Sequence, residues 1–511
     1  MEIEHAEVFS IIEKRLITDE IAKKARGEVF TPVKLVREML YGTRKSDPSK
    51  IWGINDKGEL FDDDENDRLG GIPLEVWRNP ETRWLDPANG IGNFPFIAFL
   101  MLDYQLSNHW EGGADAKTRK KHIIEKMLYM VEIDKGNVNT SHKIFNILSS
   151  DAKPNICCTD TLKLTKDDLK REFSIDSFDI IIGNPPFQAP QDAEGKRGGG
   201  DELYMKFVKK SLYFLNDNGY LVFVHPPSWR KPEFNGGRKK SKNAGMFDLM
   251  AHQNQIEYIE IHDSKDGIKT FKAATRYDFY ILKKTAALHS TIVKDMTGNI
   301  TDVNMLEFEF LPNLNIKNVK KLFPQSDDES CDLGSCILYE ASAYETRKKW
   351  VSSEEKDLFI YPLVHSTTKN GTRFFYSNTN DKGFFGIPKI IFGESGINEP
   401  VLDLEGKYGM TQGAMALSIK DKADGEKLKI FLKSNFFTNI RTACSWGGFR
   451  IDWRLFTYFK KGFWNVNVNL NEPLIGLKDY TESTETIGGK YKVKSKTRSN
   501  KRRSRRNRRN K

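Results

Sequence analysis

Four short apolar runs, each closed by a polar residue and each separated from the next by a helical pattern, constrain this chain more than any other feature. They are Trp84-Leu-Asp86, Met127-Leu-Tyr-Met-Val-Glu132, Ile156-Cys-Cys-Thr-Asp160 and Phe178-Asp-Ile-Ile-Ile-Gly-Asn184. Apolar runs of this length bounded by turn residues predict buried strands, and strands alternating with helices predict an open, mainly parallel α/β sheet. Such a sheet takes its ligands outside the carboxyl ends of the strands, where all four polar residues fall. The first run leads into Asp86-Pro-Ala-Asn-Gly-Ile-Gly-Asn-Phe94, whose Gly90 and Gly92 let backbone approach a nucleoside-sized ligand. Without the third glycine it is not a dinucleotide fingerprint. Glu132, at the end of the second strand, is placed to accept hydrogen bonds from ribose hydroxyls. The fourth run ends in Gly183-Asn-Pro-Pro-Phe187. Its two prolines fix two φ angles and remove two donors, so the Asn184 amide and the turn carbonyls are set before a ligand arrives. Phe187 offers a face for a planar ring, although a plain strand ending in a Pro-Pro turn with a core Phe would carry the same residues.

The net charge of +10 belongs to one end of the chain. Residues 490–511 hold 13 Lys and Arg and no acid, so the rest of the molecule carries −3. That tail has no apolar periodicity and is expected to be disordered, neutralising phosphates without reading sequence or serving as a nuclear-import signal in a eukaryotic host. With 511 residues the chain has room for two or three domains. No run of about 18 apolar residues suggests a membrane span, and the first residues lack a signal-peptide pattern, so a cytoplasmic, non-secreted protein is expected. Five unevenly spaced Cys suit a reducing compartment, and Cys331 and Cys336 read as ordinary thiols; no metal site is expected.

Upstream of the first strand, residues 1–25 carry a helical pattern (Val8, Ile11, Ile12, Leu16, Ile21). Thr31-Pro32 then predicts a helix start, with Thr31 as N-cap, Pro32 at the first helical position and Val33, Val36, Met39 and Leu40 as its apolar face. Residues 43–82 read as an irregular insertion. Beyond residue 285 the pattern changes: strands are predicted around Tyr361, Arg373–Tyr376, Pro388–Gly393 and Tyr408–Gly413, and one helix over 425–442.

From about residue 26 to about residue 284 the ordered set of motifs resembles the S-adenosylmethionine-dependent DNA adenine N6-methyltransferases of the gamma class. Gly27-Glu-Val-Phe30-Thr31-Pro32 is similar to the family's N-terminal cofactor motif, in which Thr31 would help to hold the methionine carboxylate. Asp86, Ala88, Gly90 and Gly92 match its Gly-loop, with Asn89 where Cys or Gly is commoner. Glu132, with Ile133 beside it, stands at the ribose-binding acid, and Asp160 at the acid that contacts the cofactor adenine. Asn184, Pro185, Pro186 and Phe187 form the catalytic tetrapeptide, and Lys269–Lys283 resembles the hairpin whose first aromatic, Phe271, meets the target base; Tyr277 or Phe279 could fill that slot. Gln188–Gly200 is suited to a mobile lid or is simply disordered.

The resemblance implies an N-terminal helical segment (1–25) and a Rossmann-like class I methyltransferase domain (26–285) with a mixed, mostly parallel seven-stranded sheet. An α+β target-recognition domain (286–480) and a disordered basic tail (481–511) would come after it. It further implies S-adenosyl-L-methionine as cofactor, double-stranded DNA as partner, a separately encoded restriction endonuclease as a second candidate partner, and a monomer. Because the body is net negative, phosphate contacts would come from local clusters: Arg230 and Lys231, Arg238, Lys239 and Lys240, Arg441, Arg450 and Arg454. The alternatives are an RNA or protein-glutamine methyltransferase and a catalytically inactive DNA-binding relative. A fused nuclease is not expected, because about 25 residues precede the first motif and the rest of the chain carries no nuclease metal-site pattern.

Overall fold

The four strand-end runs form adjacent parallel strands, because the helix after each strand returns the chain to the starting end of the sheet. They are β1 (Trp84–Asp86), β2 (Leu128–Glu132), β3 (Asn155–Cys158) and β4 (Phe178–Gly183). The computed structural model describes residues 3–18, 31–53, 64–187, 203–233, 245–324, 336–446 and 451–475. Before β1 come α1 (Ile3–Thr18) and α2 (Val33–Tyr41); between the strands lie α3 (Asn93–His109), α4 (Lys135–Leu148) and α5 (Lys166–Phe173). The helix ends are written in the sequence: Asp134 accepts from Asn137 N to cap α4, and Thr165 with Asp168 forms a reciprocal capping box on α5.

After β4, α6 (Leu203–Phe214) leads to β5 (Leu215–His225), then β6 (Gln255–His262), α7 (Ser264–Phe271) and β7 (Tyr277–Lys283). Among the described residues these strands belong to one nine-stranded sheet, ordered 3-2-1-4-5-7-6-8-9, in which β8 (Thr291–Lys294) and β9 (Ile300–Val303) extend the far edge. β7 and β9 run against the other strands. The fold is therefore mixed α/β with a large, mostly parallel sheet. The expected seven strands are corrected to nine, and the sheet continues past residue 285. Thr291-Ile-Val-Lys294 alternates burial, a weaker signal than a fully buried strand.

Neighbouring residues in each central strand face opposite sides of the sheet. Ile180, Ile182, Val222 and Val224 enter a core shared with α1, α2 and α3, while Ile181, Leu221 and Phe223 enter the other. That second core does not end with the sheet. It runs on through Phe310, Phe323, Phe431, Phe456 and Phe463 in the C-terminal half. There the described residues build two four-stranded sheets. Their strands are β10 (Ile337–Leu338), β11 (Val351–Ser352), β12 (Tyr361–Thr368), β13 (Gly371–Ser377), β14 (Lys389–Gly393), β15 (Gly396–Asp403), β16 (Gly409–Met410) and β17 (Ala414–Ser418). One sheet is ordered 10-17-14-15 and the other 11-13-12-16. The single helix expected over 425–442 is two, α8 (Lys422–Lys433) and α9 (Asn435–Ala443), because Ser434 takes an extended conformation and caps the second through Phe437 N.

The helix expected to start at Thr31 starts one residue later, with extended Pro32 as its N-cap and Val33 as its first residue. The insertion over 43–82 is less irregular than expected. Thr43–Arg44 pairs with Arg68–Leu69, and Trp52 and Trp77 are buried beneath them. No helix among the described residues is long and apolar enough to cross a membrane.

Candidate functional site

Because β1 to β4 are parallel and in register, their carboxyl ends lie side by side. Glu132 is opposite Cys158, Asp86 opposite Met130, and Leu85 opposite Ile181. β1 is central, with β2 on one side and β4 on the other, which is the switch point where an open α/β sheet forms its crevice. Asp86, at the end of β1, is 1% exposed, and its Oδ1 accepts from Ala88 N at 3.0 Å. Burial, with Glu132 adding to it, holds its carboxyl well above the usual carboxylate range. Gly183 closes against it: a Cβ there would stand 2.9 Å from Asp86 Oδ1, and its φ of +153° suits glycine.

Glu132 braces the glycine loop. Its Oε2 accepts from Gly90 N at 2.7 Å and its Oε1 from Asp134 N at 2.8 Å, yet burial still pushes its pKa up. A carboxylate has about four acceptor sites, so capacity remains for a ligand hydroxyl. Gly92, at φ +99°, turns the loop into α3. Ile133, directly after β2, is 69% exposed, an apolar face at the mouth of the crevice. Asp160 caps the next turn by accepting from Leu162 N at 3.0 Å, while Thr161 donates to Pro87 O and so ties the ends of β3 and β1 together. Thr31 is buried and its carbonyl accepts from Asn93 Nδ2 at 3.0 Å. Phe30 lies outside the described residues, as do residues 188–202 and 476–511 with the lid and tail expectations.

Beyond β4, Asn184 is half-buried and Pro185 buried, and Phe187 O accepts from Leu203 N at the start of α6. The ring of Phe187 stands perpendicular to that of Phe271, with centroids 6.4 Å apart at 87°. Phe271 in turn packs edge-on to Tyr277 at 4.9 Å, and Tyr277 stacks on His262 at 4.3 Å. Two expectations change here. Phe271 ends a helix rather than a hairpin strand, because Asp263 caps α7 through Lys265 N and Asp266 N. Tyr277 and Phe279 are buried in the core, which leaves the half-buried Phe271 as the aromatic beside Phe187.

The cationic candidates fare differently. Arg230 is 0% exposed and is not positioned to touch phosphate. Its Nε and Nη2 donate to Asp278 Oδ2 and Oδ1 at 2.7 and 2.8 Å, Nη2 also to Asn313 Oδ1, and Nη1 to Leu311 O at 2.7 Å. Arg454 is held by Asp452, and Arg441 is buried enough for its pKa to be lowered. Lys231 is half-buried. Arg238, Lys239, Lys240 and Arg450 lie outside the described residues.

The polar residues that sequence reasoning passed over are Asn93, Ser141 and Thr161. Asn89 Nδ2 donates to Ser141 Oγ at 2.8 Å, so the unusual Asn of the loop is anchored on α4. The loop also holds three buried acceptors without a partner among the described residues, Asp86 Oδ2, Asn89 Oδ1 and Asn93 Oδ1. Acceptors of this kind at a strand-end crevice fit a ligand that brings donors, as the hydroxyls and ammonium group of S-adenosyl-L-methionine would. Among the described residues no cluster of three or more His, Cys, Asp or Glu is arranged to hold a metal.

Residues 112–265 match the model of the Eco57I restriction-modification methylase family. An uncharacterized adenine-specific methylase of Mycoplasma pneumoniae is 25% identical over 279 residues, 42% of this chain and 59% of that protein, so the chain spans about three fifths of the curated relative it matches. Among solved structures, the Type IIL restriction-modification enzyme MmeI in complex with DNA is 12% identical, with 89% of this chain and 67% of that one covered at a TM-score of 0.46. A nuclease-deletion mutant of the Type ISP enzyme LlaGI, with a DNA substrate mimic, is 13% identical, with 90% and 47% covered at a TM-score of 0.48. The segment that resembles the Eco57I restriction-modification methylase family holds Glu132, Asp160 and the Asn184-Pro-Pro-Phe187 turn.

Proposed function

We propose that the chain is a site-specific DNA adenine N6-methyltransferase that uses S-adenosyl-L-methionine, working in restriction-modification or in marking its own DNA. The observation that carries this reading is the perpendicular pair Phe187 and Phe271 beside the Asn184-Pro185 turn, on the strand edge that also holds Asp86 and Glu132. A base lying on the face of Phe187 would be met by the Phe271 ring, and stacking of this kind contributes about 1–3 kcal/mol per base. An adenine inside a duplex hides N6, so the base must first be turned out, at a cost of a few kcal/mol.

The bound cofactor would supply the methyl group, carried on its sulfonium. Asp86, Ala88, Gly90, Gly92, Glu132, Ile133 and Asp160 would line its site, with Thr31 closing it from the segment that leads into α2. Asn184 Oδ1 and the Pro185 carbonyl would accept the two N6 hydrogens and draw them out of the ring plane. The N6 lone pair, otherwise spread into the ring, is then localised and aimed at the methyl. Once methylated, the cationic N6 sheds a proton to water, so no general base with a tuned pKa is required. Removing one such preorganised partner typically costs about 10²–10³ in turnover.

The C-terminal half would read the site on double-stranded DNA. Its shared core with the catalytic sheet supports both functions acting as one unit, a monomer and a separately encoded restriction endonuclease as partner being the accompanying expectations. Expression in methylation-deficient cells, followed by mapping of modified bases, tests the whole reading. N6-methyladenine at a defined sequence is expected from the wild type and not from Asn184→Ala. Its absence from both, or its presence in both, would sink the proposal.

A further inference from the structure

The ring that faces Phe187 hangs on the last residue of a short helix, so its place depends on how that helix is seated. α7 starts just after β6, and Asp263 caps it by accepting from Lys265 N and Asp266 N. His262, the last residue of β6, is paired with Tyr277, the first of β7. Its Nδ1 donates to Asp266 Oδ2 at 3.3 Å, and its ring stacks on Tyr277. The first turn of α7 is thus fastened to the sheet. The other end, which carries Phe271, meets the sheet through two contacts with the same tyrosine. Thr270 Oγ1 lies 3.1 Å from Tyr277 Oη, and the Phe271 ring packs edge-on to the Tyr277 ring.

Between the two ends lies Gly267, buried in mid-helix, where glycine is a poorer helix former than alanine. The chain leaves α7 at Lys272, in the left-handed region at φ +57°, and doubles back along the helix. Ala273 N donates to Gly267 O at 3.4 Å. A Cβ on Gly267 would stand 1.9 Å from Thr275 O and 3.0 Å from Ala273 O. Both are backbone atoms, so neither can swing aside as the end of a flexible side chain could. Thr275 comes just ahead of Tyr277, which its pairing with His262 holds in the sheet. A larger residue at 267 would therefore lever α7 off the turn, and the end that moves would be the one not capped by Asp263. Phe271 sits there, one helical turn beyond Gly267.

We propose that Gly267 and Thr270 are positioning residues for the target base: together they seat α7 so that Phe271 stands perpendicular to Phe187, and they act through that ring alone. This rests on the proposed binding of a turned-out adenine against the two rings, and it adds the residues that set the width of the slot. Geometry of this kind matters on a fine scale, since a misplacement of about 1 Å can cost about 10²-fold in rate.

A double-mutant cycle on the full chain tests this, read as kcat/KM for methylation of a duplex that carries the site found by base mapping. Gly267→Ala is expected to lose about tenfold to hundredfold. In a Phe271→Ala background the same change should cost no more than about twofold, because the ring it displaces is gone. Thr270→Val, which removes only the hydroxyl contact with Tyr277, should lose about threefold to tenfold, again only where Phe271 is present. Affinity for S-adenosylhomocysteine, measured by calorimetry, should stay within about twofold in every variant, whereas a general loosening of the fold would lower it. Equal losses with and without Phe271, no loss in the single variants, or a parallel fall in S-adenosylhomocysteine affinity overturns the proposal and leaves Gly267 a purely structural glycine. If Gly267→Ala fails to fold, the Thr270→Val cycle decides by the same criteria. Absence of N6-methyladenine from DNA treated with the wild type would instead overturn the methyltransferase reading beneath it.

Discussion

Arg230 and the loop from Asp86 to Asn93 are both polar and both withdrawn from water, but their bonding differs. Arg230 donates twice to Asp278 and also to Leu311, Pro312 and Asn313, so its guanidinium is surrounded by acceptors. The loop keeps three acceptors that no donor among the described residues meets. Completed bonding accounts for a buried side chain within the fold itself, whereas incomplete bonding at a strand-end crevice leaves capacity for a ligand or a water. The pair also shows why charge alone misleads. Arg230-Lys231 looks like a phosphate contact, while the uncharged Asn93 carries no outward sign of a role.

The largest expected effect is on the completed cluster. Arg230→Ala leaves Asp278 buried without its partner and should cost about 3–5 kcal/mol in urea unfolding, with most of it recovered in Arg230→Met/Asp278→Leu. A variant that melts like wild type and loses only DNA affinity would mean that Arg230 meets phosphate after all, and the comparison would break. Next comes the opposite sign at Asp86. Its folded pKa is raised, so the stability it allows is fully present below the ordinary carboxylate range and is lost as pH rises through the folded value. Asp86→Asn should therefore stabilise the ligand-free chain by about 1–3 kcal/mol near pH 8, with the gain fading as pH falls toward 4. Thermal melts across that range check it, and a pH-independent or negative change would argue that Asp86 is already satisfied. The smallest effect lies at the half-buried rings, between the two extremes. A double-mutant cycle of Phe187→Ala and Phe271→Ala, read as kcat/KM for methylation of DNA, should give a coupling of about 0.5–1.5 kcal/mol. Strict additivity would mean that the two rings do not act on the same base.

How far the sequence can be read depends on how local the causes are. The strand-end positions of Glu132, Asp160 and Asn184 were legible because strand, polar terminus and helix recur within a few residues of one another, and parallel pairing then brings them to one edge. Phe271 was legible in position though not in structure, since a nearby cap, Asp263, makes a helix of what resembled a hairpin. Arg230 was not legible, because its partner lies 48 residues downstream on β7 and burial leaves no mark on the dipeptide Arg-Lys. Nor was Asn93, whose meaning depends on a carbonyl 62 residues earlier in the chain. β8 and β9 escaped notice because each is only four residues long and neither is buried throughout.

The core that runs unbroken from Ile181 and Phe223 to Phe431 and Phe463 bears on engineering. Grafting the C-terminal half onto another catalytic half, as one would exchange a tethered module, would cut through packed aromatic rings. It would also strand Asn313, which holds Arg230 on one side and Ser445 O on the other. A workable chimaera would have to place its junction ahead of Arg230 or carry that residue's whole set of partners across. Retargeting by changing individual surface residues of the C-terminal half would leave this shared interior intact.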